Sequence, residues 1–220
     1  MLKRASKGHI AGGVQEIGPG KLCLWYIYTI AIAIDANFRL KRQAVSNNAR
    51  DPALISGDGF FVENTEYERF ILKHVDEEDV RIRYVLLYAN TRFNKGYALT
   101  GVTMAVCARH GFVLPNGVGD LQKGERHCNM DFVTAAVFAL VARGIPILLS
   151  YDIMCQWVRN RECRWMLENF PPHLRIQLPE GEIRYAIPKY HFNGHREEGH
   201  NQHSLNLRKG SCRTDGEEIE

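Results

Sequence analysis

The sequence predicts an α/β domain built on a mixed sheet with flanking helices, and three stretches carry that prediction. The first is Tyr28 to Leu40, YTIAIAIDANFRL, in which Ile30, Ile32 and Ile34 recur at period two with small alanines between them. That pattern suits a central strand buried on both faces. The second is IPILLSYD, another apolar run, which ends on Asp152 as the first run ends on Asp35. The third is FVTAAVFALVARG, which precedes IPILLSYD and places apolar residues on a helical face. Helix then strand across a short Gly-Ile-Pro turn is an α/β crossover and suits a parallel pair. The strands ending on Asp35 and Asp152 are expected side by side and parallel.

Two buried strands that each deliver an aspartate at a terminus can set both beside one divalent metal ion. The plainer alternative is two core strands whose ends need a solvated residue. Spacing alone leaves both open. Asp35 is followed by Asn37 and by the basic residues Arg39, Lys41 and Arg42.

The 220 residues suffice for one large domain or a domain with a small appendage. A composition of 45% hydrophobic and 24% charged residues supports a sizeable core. The net charge of +3 is mildly basic and does not by itself imply nucleic acid. Six cysteines are scattered without a Cys-x-x-Cys pair, in a chain too large to need a disulfide framework, which reads as reduced thiols in an intracellular protein. The apolar run from Leu22 to Ile34 has thirteen residues, short of the roughly 20 that a spanning helix needs. No signal-peptide pattern fits the start, because a Gly-rich polar stretch separates MLKRASK from that run.

In chain order, residues 1–21 read as a poorly ordered lead-in and residues 22–220 as the core. SNNARDPALISGDG is turn chemistry. Thr65 with Glu68 makes a capping box for EYERFILKHV, whose inward face is Tyr67, Phe70, Ile71 and His74, with a partly solvated surface residue as the plain reading of His74. Residues 97–107 read as one strand. VLPNGVGDLQKGERHCNMD reads as a polar, Gly-rich loop carrying Lys123, Arg126 and His127, whose glycines would let backbone approach a phosphate, or as a long turn. Asp131 sits where an N-cap belongs for the helix that Gly144 ends. IMCQWVRNRECRWMLENF has Trp157, Arg161 and Trp165 at helical spacing, and Pro171-Pro172 stops it. IRYAIPKYHFNGH is a short strand and a His-rich loop, and RTDGEEIE is an acidic tail.

Five blocks then resemble a known family. DANFRLKR, CARHGFVLPNGVGDLQKGERHCNMD, SYDIMCQW, IPKYHFNGH and RTDGE, in order and spacing from about Ile32 to Glu217, are similar to the Kyakuja-Dileera-Zisupton transposases. The resemblance implies an RNase H-like core with a DDE-type triad, acting on DNA with Mg2+ or Mn2+. Position by position, Asp35 corresponds to the first acid and Asp152 to the second. The third is Glu217 or Glu220, with Glu217 favoured because the DGE match is intact. These carboxylates would be both catalytic and metal-binding. Arg39, Lys41, Arg42, Lys123 and Arg126 are the expected backbone contacts to DNA. Cys107, His110, His191 and His195 also match recurrent family positions, and a structural Zn2+ is the sharper of the two readings for them, the other being plain loop and turn residues. The partners implied are transposon ends, target DNA and, in a homo-oligomer, a second copy of the chain, in the nucleus. The family pattern continues past its second Glu, so the core is expected to be incomplete at its C-terminal end. The alternative function is a catalytically inactive remnant that at most binds nucleic acid non-specifically.

Overall fold

The structure is a computed structural model, described here for residues 28–43, 49–50, 52, 57–74, 97–122, 124–141, 145–159, 161–175, 183–194, 200–208, 211, 214–217 and 219. The expected lead-in, Gly144, Lys123, His195 and Glu220 lie outside these residues.

The period-two isoleucines form β1 (Ile30–Asn37) at the centre of a five-stranded sheet. Its neighbours are β4 (Gly101–Cys107) on one side and β6 (Ile147–Ser150) on the other. Outside these lie β5 (Val113–Leu121) and β7 (Ile183–Ala186), giving the order β5-β4-β1-β6-β7. β1 runs antiparallel to β4 and parallel to β6, β4 antiparallel to β5, and β6 parallel to β7. The predicted mixed α/β sheet is thus the observed one, with the two Asp-ended strands adjacent and parallel. This arrangement is compatible with an RNase H-like core. A separate two-stranded ribbon pairs β2 (Arg42–Gln43) with β3 (Tyr97–Leu99).

Alternation in β1 explains the two-layer packing. Ile32 and Ile34 face the larger core, with Ala105, Ile147 and Leu149 beside them. Against that face lies α2 (His127–Val141), which is buried all round from His127 to Phe138. A helix apolar on every side belongs inside, and α1 (Asn64–His74) covers its outer flank. Ala31, Ala33, Val106, Ala108, Leu148 and Ala186 face the other way, under Leu205 and Ile219. Their small side chains leave room for segments near the chain's end to lie close to the sheet.

Several local expectations are corrected. The residues expected to be one strand, 97–107, are two, β3 and β4, separated at Thr100. The Gly-rich stretch expected to be a loop contains the nine-residue strand β5. Met104 pairs with Val118 and Val106 with Val113, so residues 114–117 bulge opposite Ala105. Asn116 there has φ 52°, and a Cβ on Gly117 would stand 2.8 Å from the Ala105 carbonyl. The turn chemistry is real, but it builds a bulge inside a strand.

α2 begins at His127, so Asp131 is not its N-cap. Asp131 is buried and accepts hydrogen bonds from Arg164 Nε at 2.7 Å and Trp165 Nε1 at 2.8 Å. Arg164 also donates to the Trp157 carbonyl at 2.7 Å. This knot ties α3 (Met154–Trp157) and α4 (Arg161–Arg164), which follow Asp152, to α2. On α1 the cap is Glu63 rather than a Thr65 box: its carboxylate accepts from Thr65 N at 3.0 Å and Glu66 N at 2.5 Å. Tyr67, Phe70, Ile71 and His74 do form the inward face. His74 is buried, however, with Nδ1 2.7 Å from the Phe70 carbonyl and its ring 4.2 Å from that of Phe70.

Candidate active site

The parallel register fixes where the two aspartates meet. Ala33 pairs with Ser150, and Asp35 and Asp152 each lie two residues further on. They therefore emerge together at the C-terminal ends of β1 and β6. Asp35 Oδ1 accepts from Ala36 N at 2.7 Å, and Asp152 Oδ1 accepts from Ile153 N at 2.6 Å.

A third carboxylate joins them. Glu125, two residues ahead of α2, points to the same place, and one oxygen from each of Asp35, Glu125 and Asp152 lies within 4.8 Å of the other two. Glu125 is held by Tyr151, whose hydroxyl donates to Glu125 Oε1. Tyr151 is fully buried on the strand end beside Asp152. Burial, then the negative charge of Asp152, then that of Asp35, push the Glu125 carboxyl up to about 8, against the lowering effect of the Tyr151 hydrogen bond. The Tyr151 hydroxyl is itself raised by burial and by Glu125.

These residues fit a divalent cation. Three carboxylates converging this closely repel one another, and either a proton or a cation relieves that repulsion. The donors are all hard oxygens, the set Mg2+ and Mn2+ take. Sequence reasoning passed over Glu125 although it reached its neighbours Lys123, Arg126 and His127. The available signal was an acid just ahead of a long apolar helix, within the most distinctive block.

The remaining site residues are dispersed. Glu217 stands at the same end of the sheet: the Asn37 side chain donates to the Ile219 carbonyl at 2.8 Å, and a Cβ on Gly216 would lie 2.9 Å from Ser150 Oγ. Its carboxylate engages α5 (Lys189–Phe192), accepting from Tyr190 N at 2.8 Å and lying 3.2 Å from His191 Nδ1. It is not in the three-carboxylate group. Cys107 Sγ and His110 Nδ1 are 3.3 Å apart. Cys107 pairs with Ile32, near the start of β1, whereas His191 lies beyond the end of β7. Arg39 and Arg42 are exposed just past Asp35, and Lys41 Nζ lies 5.6 Å from the centre of the Tyr97 ring. Arg126 is partly buried next to Glu125.

Among the described residues no helix is long and apolar enough to cross a membrane. Residues 28–220 match the family model described as Kyakuja-Dileera-Zisupton transposase. No curated protein and no solved structure gives a match.

Proposed function

The chain belongs to the Kyakuja-Dileera-Zisupton transposase family, and on that premise we propose that it is a metal-dependent DNA-cutting and strand-joining core of the DDE type. One observation carries the reading: the carboxylates of Asp35, Glu125 and Asp152 converge at neighbouring strand ends. Phosphodiesters are anionic and poor electrophiles, so their displacement calls for concentrated positive charge at the reacting oxygens.

Asp35 and Asp152 would hold the cation from the strand ends, and Glu125, just ahead of α2, would complete the group. When bound, Mg2+ or Mn2+ supplies Lewis-acid stabilisation and lowers the pKa of a bound water or hydroxyl. Burial and the two aspartates favour a proton on Glu125 in the metal-free site, and a bound cation would take that proton's place in relieving the repulsion. Tyr151 keeps that carboxylate aimed at the aspartates. Asp131, Arg164 and Trp165 fix the segment after Asp152 and so hold its backbone in place. Arg39, Lys41, Arg42 and Arg126 take the DNA phosphates on either side, an affinity without sequence reading. Glu217 supports the same end of the sheet through α5. The substrate places the protein in the nucleus, acting on transposon ends.

The test is cleavage of terminal-repeat DNA with Mg2+ or Mn2+, alongside Asp35→Ala. Removing one member of a metal-holding carboxylate set should abolish cleavage and metal-induced stabilisation together. Unchanged cleavage by Asp35→Ala would remove the assignment. Salt-sensitive binding to any duplex, with no cleavage under either metal, would leave the non-catalytic binding reading.

A further inference from the structure

The chain that leaves the carboxylate end of β1 alternates apolar with basic residues and faces solvent. It reads Phe38-Arg39-Leu40-Lys41-Arg42. Phe38 is 39% exposed and Leu40 54%, and Tyr97, on the strand that pairs with β2, is 37% exposed. Lys41 Nζ lies 5.6 Å from the centre of the Tyr97 ring. The turn is held in place at several points. Arg39 N donates to Asn37 Oδ1 at 2.9 Å, while the Asn37 amide donates to the Ile219 carbonyl at 2.8 Å. Lys41 N donates to the Arg39 carbonyl at 3.1 Å. A Cβ on Gly101 would stand 2.6 Å from the Asn37 carbonyl oxygen and 3.1 Å from Phe38 Cα, so β4 lies directly against the start of the turn. Phe38 is three residues past Asp35, which puts its Cα within roughly 11 Å of the aspartate's.

A single exposed apolar residue is ordinary, but three large ones interleaved with three cations at the mouth of the site ask for a partner that is both anionic and flat. A duplex offers its phosphates and hides the faces of its bases. An unpaired strand offers both, and bases stack on aromatic side chains while cations track the backbone. A second copy of the chain is a poorer occupant, because a two-fold contact here would set the same cations against one another. We propose that Phe38, Leu40 and Tyr97, with Arg39, Lys41 and Arg42 among them, form a site for unpaired DNA, on which bases beside the cut phosphate stack. At about 3.4 Å per nucleotide along one strand, Phe38 reaches a base within about three nucleotides of that phosphate.

The inference rests on the proposed action on DNA and names the form of DNA the site takes, and its test separates the two. Binding is measured by fluorescence anisotropy at 50 mM salt for a labelled 20-nucleotide single strand, for the same strand with a central run of abasic sites, and for the duplex. Phe38→Ala and Tyr97→Ala should each weaken the single strand by about 5- to 150-fold. They should leave duplex affinity, the salt slope and the Mg2+-dependent rise in melting temperature unchanged, since no charge is removed. Phe38→Trp and Tyr97→Phe, which keep a flat ring, should bind as wild type does. Wild type should hold the abasic strand about as weakly as Phe38→Ala holds the intact one. Equal affinity of wild type for intact and abasic strands, or equal losses on single strand and duplex in both alanine variants, would overturn the stacking site and leave the parent reading intact. A wild type that binds neither strand nor duplex would remove both. A wild-type dimer that Leu40→Ser converts to monomer, with single-strand affinity unaltered, would reassign the patch to contact between copies and overturn the DNA site.

Discussion

Replacing Glu125 with Gln tests the carboxylate cluster through its proton rather than through catalysis. In the metal-free protein the Glu125 carboxyl titrates at about 8, against 4.5 for an ordinary glutamate. The folded state therefore holds a proton that the unfolded state has lost between those values. Stability from this group is complete below pH 4.5 and falls as pH rises through 8. At 1.36 kcal/mol per pKa unit the loss is roughly 3–5 kcal/mol. Glu125→Gln keeps the shape and the acceptor for Tyr151 but cannot ionise. It should match wild type near pH 4.5 and exceed it by that amount at pH 9. Asp120, also raised by burial, titrates in both proteins and drops out of the difference. The assay is urea unfolding at pH 5, 7 and 9 in EDTA, repeated with 10 mM Mg2+. A cation bound only by the native state should stabilise wild type at pH 9, and the variant far less. Parallel stability curves for the two proteins from pH 5 to 9 would refute the picture of three carboxylates forced together.

Two further substitutions probe the scaffold that carries the site. Gly119→Ala would bring a Cβ to 2.8 Å from Val133 Cγ2 and 3.0 Å from the Tyr67 ring; overpacking of that kind should cost about 1–3 kcal/mol in thermal or urea unfolding. Asp131→Ala would leave Arg164 without its carboxylate, and breaking a buried pair from one side should cost about 3–5 kcal/mol. Because Asp131 anchors the segment after Asp152, metal-induced stabilisation should weaken in the same variant, measured by the Mg2+-dependent rise in melting temperature.

The sequence alone decided the sheet's centre and its chemistry at one end. Apolar residues at period two in β1, and the apolar run of β6, are local signals of burial that need no partner to be read. An aspartate closing each run sets both at the same end once the strands pair in parallel. The family blocks added the remaining identity. Tertiary structure decided what depends on contact between distant residues. The glycines of β5 look like a turn until Ala105, Val133 and Tyr67 are seen to leave no room for side chains there. Asp131 has the residue type of a cap, and only the approach of Arg164 and Trp165 makes it a buried anchor. Glu125 joins the aspartates because α2 packs across the sheet with its N-terminus over their strand ends, a placement set by burial of the whole helix. Charge repulsion among those carboxylates exists only after folding has brought them together.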